Sequence, residues 1–402
     1  MKLLAMPWNA WPGMDRLLDV LGAPGGDTRV VGGAVRDTLL GLPVSDIDLA
    51  TRLEPGAVVD RLKAAGIKAV PTGLAHGTIT AVIGGRPVEV TTLRRDVATD
   101  GRHATVAFTD DWREDASRRD FTINALYADP ATGEVHDYFG GEADIAARRI
   151  RFIGDPRQRI AEDHLRILRF FRFHARFADA TPDAAGLSAC TERANDLMAL
   201  SRERIADELL KLLALPRPAD TVAIMHEAGI FAPVLPEIDA AGVNTLHRSI
   251  ANEERLGATP EPLRRLAALL PAAAKRADAV ALRLRLSKAA RARLACAAGR
   301  SGADDESTPQ ALAYRHGVAC ARDRLLLAAA PDPARLAALA DWQKPHLPIA
   351  GGTLIARGLP PGPIVATTLK AIEATWVDAG FPDGARFDAL VSRHLAEALP
   401  TK

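Results

Sequence analysis

The stretch that decides the fold is VVGGAVRDTLLGLPVSDIDLAT, residues 30 to 51. A β-branched run ends in two glycines, AVRDTLLG then predicts a short helix closed by Gly41, and SDIDLAT alternates polar and apolar residues. Alternation with period two is typical of a half-buried strand, so the stretch predicts strand, glycine turn, helix and strand. Asp46 and Asp48 lie two positions apart on the second predicted strand, and we expect both carboxylates on one face.

This stretch carries the residue types that a phosphate and metal site needs. Two carboxylates so close together repel each other unless a divalent cation lies between them. Mg²⁺ suits such a site because it takes one or two carboxylates and completes its shell with waters and substrate phosphates. Gly33 lets backbone N–H groups approach a triphosphate, and Arg36 adds charge-assisted hydrogen bonds. A lone DxD pattern is more often a solvated strand, but the glycines and the arginine beside it favour function.

The pattern around this stretch predicts the fold class and the domains. TITAVIGGRPVEVTTL predicts a β-hairpin around Gly84 and Gly85, which makes the first third α+β. From residue 157 onward the apolar residues recur at helical spacing, beginning with RIAEDHLRILRFFRFHARF as one predicted helix. We therefore expect an α+β head over residues 1–150, a helical neck over 151–215, and a helical body and tail over 216–402.

Composition narrows the class of protein. The chain has 402 residues, a hydrophobic fraction of 48% and a formal net charge of +1, which exclude a disordered or collagen-like chain. No run of about 18 apolar residues exists, so no membrane span is expected, and Asp15 in a broken apolar start argues against a signal peptide. Cys190, Cys296 and Cys320 are isolated, which argues against a zinc ribbon or a disulfide-stapled secreted domain and predicts a cytoplasmic protein.

Three segments, taken in order, resemble one enzyme family. GGAVRDTLLG with DIDLAT, then SRRDFTINALYAD at 117 to 129, then EDHLRILRFFRF at 162 to 173, resemble the motifs of tRNA CCA-adding enzymes and bacterial poly(A) polymerases. Both belong to the DNA polymerase β nucleotidyltransferase superfamily, so the resemblance implies a polymerase β-like head. It also implies Mg²⁺ at Asp46 and Asp48, CTP and ATP as substrates, and the 3′ end, acceptor arm and T arm of tRNA as partner.

The resemblance assigns further roles in nucleotide binding. Arg119 is expected to pair with phosphate or ribose oxygens, and Asp120 to accept from the ribose 2′-OH that separates NTP from dNTP. Arg169 and Arg172 are assigned to the triphosphate or the base edge. Glu89, on the strand after the hairpin turn, is the candidate for the third catalytic carboxylate of the superfamily; a solvent-facing strand residue is the alternative.

Asp163 and Arg166 are the expected readers of the base. On one helix Asp163, Arg166, Arg169 and Arg172 would form one stripe, with too few acids to pair the three arginines. An ionised aspartate only accepts hydrogen bonds and an arginine only donates them. That pair fits the Watson–Crick edges of cytosine and adenine, whereas guanine and uracil would leave buried groups unpaired. An exposed salt-bridged helix is the alternative explanation.

Two other segments bear on RNA. Residues 94 to 116 are charged, contain Gly101 and are weakly periodic, so we expect a mobile loop; in the family a loop here accompanies full CCA addition. Residues 262 to 300 hold ten Lys and Arg against one acid, Asp278, which suits a phosphate backbone, although solubilising helix faces explain it equally well.

Poly(A) polymerase is the alternative function. An inactive RNA-binding relative is disfavoured because the motifs are intact. A small-molecule nucleotidyltransferase is disfavoured because the large helical part would have no substrate to bind.

Overall fold

The computed structural model describes residues 1–100, 103–179 and 181–399. The chain divides into two compact units. The first consists of Met1–Leu212 with Glu227–Val234, and the second consists of Leu213–His226 with the chain from Leu235 onward. The expected fold class, an α+β head followed by helices, is confirmed.

Strands occur only in the first unit among the described residues, and seven of them form one mixed sheet. The spatial order of that sheet is β3-β4-β5-β2-β1-β8-β9. The predicted hairpin around Gly84 and Gly85 is present as β4 and β5. The strands in chain order are β1 Thr28–Val31, β2 Asp48–Thr51, β3 Lys68–Gly73, β4 Thr78–Ile83, β5 Arg86–Thr92, β6 Arg94–Asp100, β7 His103–Phe108, β8 Leu126–Ala128 and β9 Val135–Asp137.

The helices of the first unit cover both faces of this sheet. Val30 and Leu49 belong to a core shared with α1 and α3, whereas Val31 and Ala50 belong to a second core shared with α4. Successive strand residues point to opposite faces, so Asp48 lies on the face of Ala50. The helices up to residue 213 are α1 Met14–Val20, α2 Gly33–Leu39, α3 Pro55–Ala64, α4 Trp112–Ser117, α5 Gly141–Ala146, α6 Pro156–Glu162, α7 Arg166–Phe177, α8 Ala184–Glu192 and α9 Arg202–Leu213.

The segment expected to be a loop, residues 94 to 116, is largely regular. Strands β6 and β7 pair antiparallel as a separate two-stranded sheet, with Arg94 opposite Phe108, and α4 begins at Trp112. The expectation of a loop was wrong there because strands pair through backbone hydrogen bonds, which do not require apolar alternation. The tip of the expected loop, residues 101 and 102, lies outside the described residues.

The single helix predicted from residue 159 to 177 is two helices. Helix α6 ends at Glu162, Asp163 has extended dihedrals (φ −152°, ψ 107°), and α7 begins at Arg166. The Asp163 side chain accepts from the backbone N of Leu165 at 3.1 Å, which closes a short turn between the two helices. Apolar periodicity did not show the break because buried apolar residues continue across it, from Ile160 in α6 to Leu168 and Phe171 in α7.

The chain after α9 contains helices and no strand among its described residues. Two helices flank a Gly/Pro turn near residue 360, and one more helix follows them. The helices are α10 Ala219–Glu227, α11 Ala240–Leu256, α12 Pro262–Leu269, α13 Ala274–Arg283, α14 Lys288–Ala298, α15 Ala303–Glu306, α16 Pro309–His316, α17 Val318–Leu326, α18 Pro333–Ala337, α19 Gly351–Ala356, α20 Pro363–Asp378 and α21 Gly384–Ala398.

The basic segment at 262 to 300 is not an open stripe. Arg264 and Arg265 both bind the buried Glu253 at 2.7 Å, and Arg264 and Arg293 share the buried Asp323. Three more arginines are engaged: Arg283 with Glu237, Arg291 with Asp278, and Arg300 with the carbonyls of Ala267 and Leu270. At least six of the ten basic side chains are therefore engaged within the protein, four of them by acids that lie outside this segment.

Two of the three cysteines, which the sequence showed as isolated, are joined. Cys296 on α14 and Cys320 on α17 form a disulfide with Cα atoms 6.1 Å apart, and Cys190 is a buried free thiol. The sequence did not reveal the pair because 24 residues separate the two positions and only the packing of α14 on α17 brings them together. No helix of the described chain is long and apolar enough to cross a membrane.

Candidate active site

Three carboxylates predicted from the sequence lie near the start of β2. Asp48 is the first residue of β2 and is in register with Glu89 on the parallel neighbour β5. Asp46 precedes the strand rather than lying on it, and its carboxylate accepts from Ser45 Oγ at 2.9 Å. Crowding by protein atoms and the charge of Glu89 raise the pKa of Asp48 to about 6, with Arg119 opposing and Asp46 adding to the shift. Clustered negative charge of this kind favours a cation.

The turn between β1 and α2 requires glycine. Gly32 has φ 70° and ψ −119°, a conformation that disfavours a side chain, and a Cβ there would lie 3.5 Å from Arg119 Nη1 and from the Asn124 carbonyl. Gly33 begins α2, and a Cβ on it would lie 3.6 Å from Arg36 Nη2. The turn therefore keeps the backbone open beside two arginines.

Arg36 extends from α2 into the same region. Its guanidinium donates to Oδ1 of Asn124 at 2.5 Å and to Oδ1 of Asp37 at 2.8 Å, and it lies 4.3 Å from the centre of the Phe177 ring. Burial lowers the pKa of Arg36, although the charge of Asp37 partly offsets this effect. A cation so enclosed gains from an incoming anion.

Arg119 is positioned by Asp115, a residue that the sequence did not predict as part of the site. Asp115 Oδ2 accepts from Arg119 Nη2 at 3.2 Å and from the hydroxyl of Tyr127 at 2.6 Å, while Oδ1 accepts from Arg118 and from the backbone N of Arg94. Burial raises the pKa of Asp115, but the charges of Arg119 and Arg118 and the Tyr127 bond outweigh it and hold the pKa at about 2. Asp115 thus connects the start of β6 to Arg119.

Asp120 is buried and already engaged. Its Oδ2 accepts from Arg169 Nη2 at 2.6 Å, and its Oδ1 accepts from Asn124 Nδ2 at 3.0 Å. Burial raises the pKa of Asp120, but the charge of Arg169 and these bonds outweigh it and lower the pKa. Arg169 also lies 5.3 Å from the centre of the Phe173 ring.

Each remaining residue of the expected stripe has a partner of opposite charge. Asp163 pairs with Arg204 at 2.8 Å, Arg166 with Glu162 at 2.6 Å, and Arg172 with Glu208 at 2.6 Å. The expectation of too few acids was therefore wrong, because Asp120 and Glu208 lie 49 and 36 residues away in the sequence from Arg169 and Arg172.

A cleft of about 400 Å³ brings most of the predicted residues together. Asp46, Glu89 and Arg172 are not part of its lining, whereas the unpredicted Asn124 and Phe173 are. Asn124 lies inside the SRRDFTINA segment, so the motif could have identified it. Phe173 could not be distinguished in the sequence from a residue of the hydrophobic core. The lining consists of Gly32, Gly33, Arg36, Asp48, Arg119, Asp120, Asn124, Asp163, Arg166, Arg169 and Phe173.

Comparisons with known proteins agree with this architecture. Residues 28–151 match the family model described as Poly A polymerase head domain, and residues 181–241 match the model described as Probable RNA and SrmB- binding site of polymerase A. The chain is 35% identical over 385 residues to CCA tRNA nucleotidyltransferase 1, mitochondrial, of Mus musculus, covering 92% of this chain and 87% of that protein.

A bacterial relative and a solved structure agree with the mouse protein. A CCA-adding enzyme of Streptococcus pyogenes serotype M2 is 37% identical over 250 residues, covering 61% of this chain and 60% of that protein. The crystal structure of the Bacillus stearothermophilus CCA-adding enzyme in complex with CTP superimposes with a TM-score of 0.75 at 26% identity, covering 96% and 98% of the two chains. This chain belongs to the family of CCA tRNA nucleotidyltransferases.

Proposed function

We propose that this protein adds C, C and A to the 3′ end of tRNA without a nucleic-acid template, using CTP and ATP and releasing pyrophosphate. The observation that carries the proposal is that one cleft is lined by a carboxylate suited to a metal, by arginines suited to a triphosphate, and by Asp163 and Arg166. The mouse and streptococcal relatives bear names for this activity, and the Bacillus stearothermophilus enzyme was solved with CTP.

The residues near the start of β2 fit Mg²⁺. Asp48 would hold it with Asp46, and Glu89 stands beside Asp48 as the third carboxylate. No group of three or more His, Cys, Asp or Glu side chains among the described residues is arranged to hold a metal ion unaided. Mg²⁺ tolerates this because it keeps waters and takes ligands from substrate phosphates. When bound, it would lower the pKa of the RNA 3′-OH and stabilise the pyrophosphate leaving group.

The protein's own contribution is to bind and orient the nucleotide. Arg36 lies beside the Gly32–Gly33 turn, where backbone N–H groups and a guanidinium can meet phosphate oxygens. Arg119, held by Asp115, is set to bind phosphate or ribose oxygens, and Asp120 to accept from the 2′-OH. Arg169 binds Asp120 and so connects ribose recognition to α7, while Arg172, bound to Glu208 outside the cleft lining, supports that helix.

Asp163 and Arg166 supply an acceptor and a donor to the base edge. Cytosine presents an amino donor and a ring nitrogen acceptor there, and adenine presents the same pair. Uracil and guanine present a carbonyl oxygen and an N–H, which would leave the base-facing acceptor of the carboxylate and the base-facing donor of the guanidinium unmatched, at a cost of roughly 1–3 kcal/mol per group. One protein pocket can thereby accept both CTP and ATP.

The roles divide along the chain as the sequence suggests: catalysis in residues 1–150, base reading in 151–215, and tRNA binding in 216–402. The phosphate contacts of the last part would come from basic side chains outside the paired arginines of residues 262 to 300. A cytoplasmic location stays a prediction, and the mouse relative bears a mitochondrial name.

The test is an extension assay. The protein is incubated with Mg²⁺ and a tRNA ending at the nucleotide before CCA, with CTP, ATP or both. CTP alone should add two nucleotides, both together should add three, and extension should then stop. Long adenosine tails from ATP alone would instead identify a poly(A) polymerase, and the absence of any product would contradict both functions.

A further inference from the structure

Arg204 holds the carboxylate of Asp163, the residue proposed to bind the base. Its Nη2 donates to both carboxylate oxygens of Asp163, at 3.1 Å to Oδ1 and 2.8 Å to Oδ2. Both side chains are about a quarter exposed, at 26% for Arg204 and 27% for Asp163. Asp163 lines the cleft and Arg204 does not, so the arginine holds the carboxylate without lining the nucleotide site itself.

The acceptor capacity of Asp163 is nearly filled by the protein. An ionised carboxylate offers about four acceptor positions, two on each oxygen. Oδ1 accepts from the backbone N of Leu165 at 3.1 Å and from Arg204, and Oδ2 accepts from Arg204. One position on Oδ2 is left, which matches a single N–H of an exocyclic amino group.

Helix α9 keeps Arg204 in place. Ser201 at the start of this helix accepts from the backbone N of Arg204, and Glu208, one turn further on, binds Arg172 of α7 at 2.6 Å. Helix α9 therefore holds the Asp163 carboxylate through Arg204 and holds α7, which bears Arg166 and Arg169, through Glu208.

We infer that Arg204 is a positioning residue for base selection: it orients Asp163 so that one carboxylate acceptor faces the amino group of cytosine or adenine and meets the carbonyl of uracil or guanine unfavourably. The inference rests on the proposed function, because it assigns to Arg204 a role exerted through Asp163. A freely rotating carboxylate could turn away from a carbonyl, so discrimination depends on the constraint.

The experiment measures kcat/KM for CTP and for UTP on tRNA lacking CCA. Arg204→Gln should lower the CTP-to-UTP ratio by about tenfold, since one hydrogen-bonded polar contact contributes discrimination of that order. Arg204→Lys keeps a cationic donor and should restore most of the ratio. If Arg204→Gln does not fold, Arg204→Lys carries the test, with a smaller loss of the same sign.

A matched control is available in the same unit. Arg157 makes a bidentate pair with Glu192, at 2.8 and 2.7 Å, and lies outside the cleft lining. Arg157→Gln removes the same kind of ion pair, and the CTP-to-UTP ratio should remain that of the wild type. A fall in the ratio equal to that of Arg204→Gln would overturn the inference.

A double-mutant cycle separates this inference from the proposed function. Asp163→Ala should itself lower the ratio, and adding Arg204→Gln should change it no further, because Arg204 acts through Asp163. A further fall in the double variant, or an equal loss for CTP and UTP in Arg204→Gln alone, overturns the role of Arg204 while leaving Asp163 as reader. An unchanged ratio in Asp163→Ala overturns the proposed base reader, and this inference with it.

Discussion

The arginines of α7 and the arginines of residues 262 to 300 look alike in sequence and differ in structure. Both groups are ion-paired, yet Arg166 and Arg169 line an open cleft, whereas Arg264 and Arg265 are 5% and 1% exposed and meet only protein acceptors. The arginines of α7 were expected to bind phosphate or base, whereas for residues 262 to 300 phosphate binding and solubilising helix faces explained the sequence equally well. The difference is that the pairs of Arg166 and Arg169 border a cleft where a ligand can exchange contacts, whereas the pairs of Arg264 and Arg265 are buried.

The comparison shows what a count of basic residues leaves out. A buried arginine that binds two carboxylates has its N–H donors engaged within the protein. Moving it toward RNA would leave those buried carboxylates unpaired, at a cost of several kcal/mol. An arginine at a cleft edge can share its five N–H donors between a protein carboxylate and a ligand. Basic charge therefore predicts nucleic-acid contact only where it remains accessible.

The largest expected effect is at the cleft carboxylate. Asp48→Asn should lower nucleotide incorporation by about 10³-fold or more, because it removes the charge that would hold the metal. Thermal stability should not fall, because burial and the charge of Glu89 disfavour ionised Asp48 and raise its pKa to about 6. The exposed Asp60 on α3 offers the control Asp60→Asn, with wild-type activity expected. Incorporation by Asp48→Asn within tenfold of wild type would remove Asp48 from the mechanism.

The second effect tests whether the body arginines are structural. Glu253→Gln removes the charge that Arg264 and Arg265 share at 2% exposure and should lower the free energy of unfolding by about 3–5 kcal/mol in urea titrations. Asp278→Asn, which removes the partner of the exposed Arg291, should leave stability unchanged. Similar losses in the two variants would show that burial does not distinguish these pairs.

A third effect concerns a buried pair that serves the cleft. The pKa of Asp115 is about 2 when folded, below the ordinary 3.8 of an aspartate, so its contribution is complete above pH 4 and is lost as the pH falls through 2. The shift corresponds to about 2 kcal/mol. Asp115→Asn should therefore flatten the fall in unfolding free energy between pH 5 and pH 2 by that amount. Asp110→Asn, at an exposed neighbour, should keep the wild-type slope.

The smallest effect is a titration within the carboxylate group. Carbon-13 NMR of the metal-free protein should give Asp48 a pKa of about 6. Glu89→Gln removes a negative neighbour and should lower the pKa of Asp48 by up to about one unit, while burial keeps it above 3.8. An unchanged pKa of Asp48 would show that the charge of Glu89 does not influence Asp48, and would contradict the proposal that Glu89 is the third carboxylate.

Much of the candidate site was predictable because its residues are local in sequence. Gly33, Arg36 and Asp48 fall within one strand–turn–helix–strand unit, whose geometry follows from short-range rules, and the structure brings all three to the same cleft. Arg119, Asp120 and Arg169 were predicted with the help of motif resemblance, and Asp163 and Arg166 from hydrogen-bond complementarity to the base; all five line that cleft too. The prediction that Asp163 lies on a helix was wrong, since its backbone is extended between α6 and α7.

The sequence by itself determined the α+β head, the helical remainder and most of the residues that line the cleft, because strand alternation, helical spacing and glycine turns act over a few positions. Only the tertiary structure decided which charges pair. Arg204 meets Asp163 across 41 residues and Asp323 meets Arg264 across 59, and such contacts exist only once helices pack. Whether a charge binds a ligand or stabilises the fold depends on that packing, which fixes its burial and its partners.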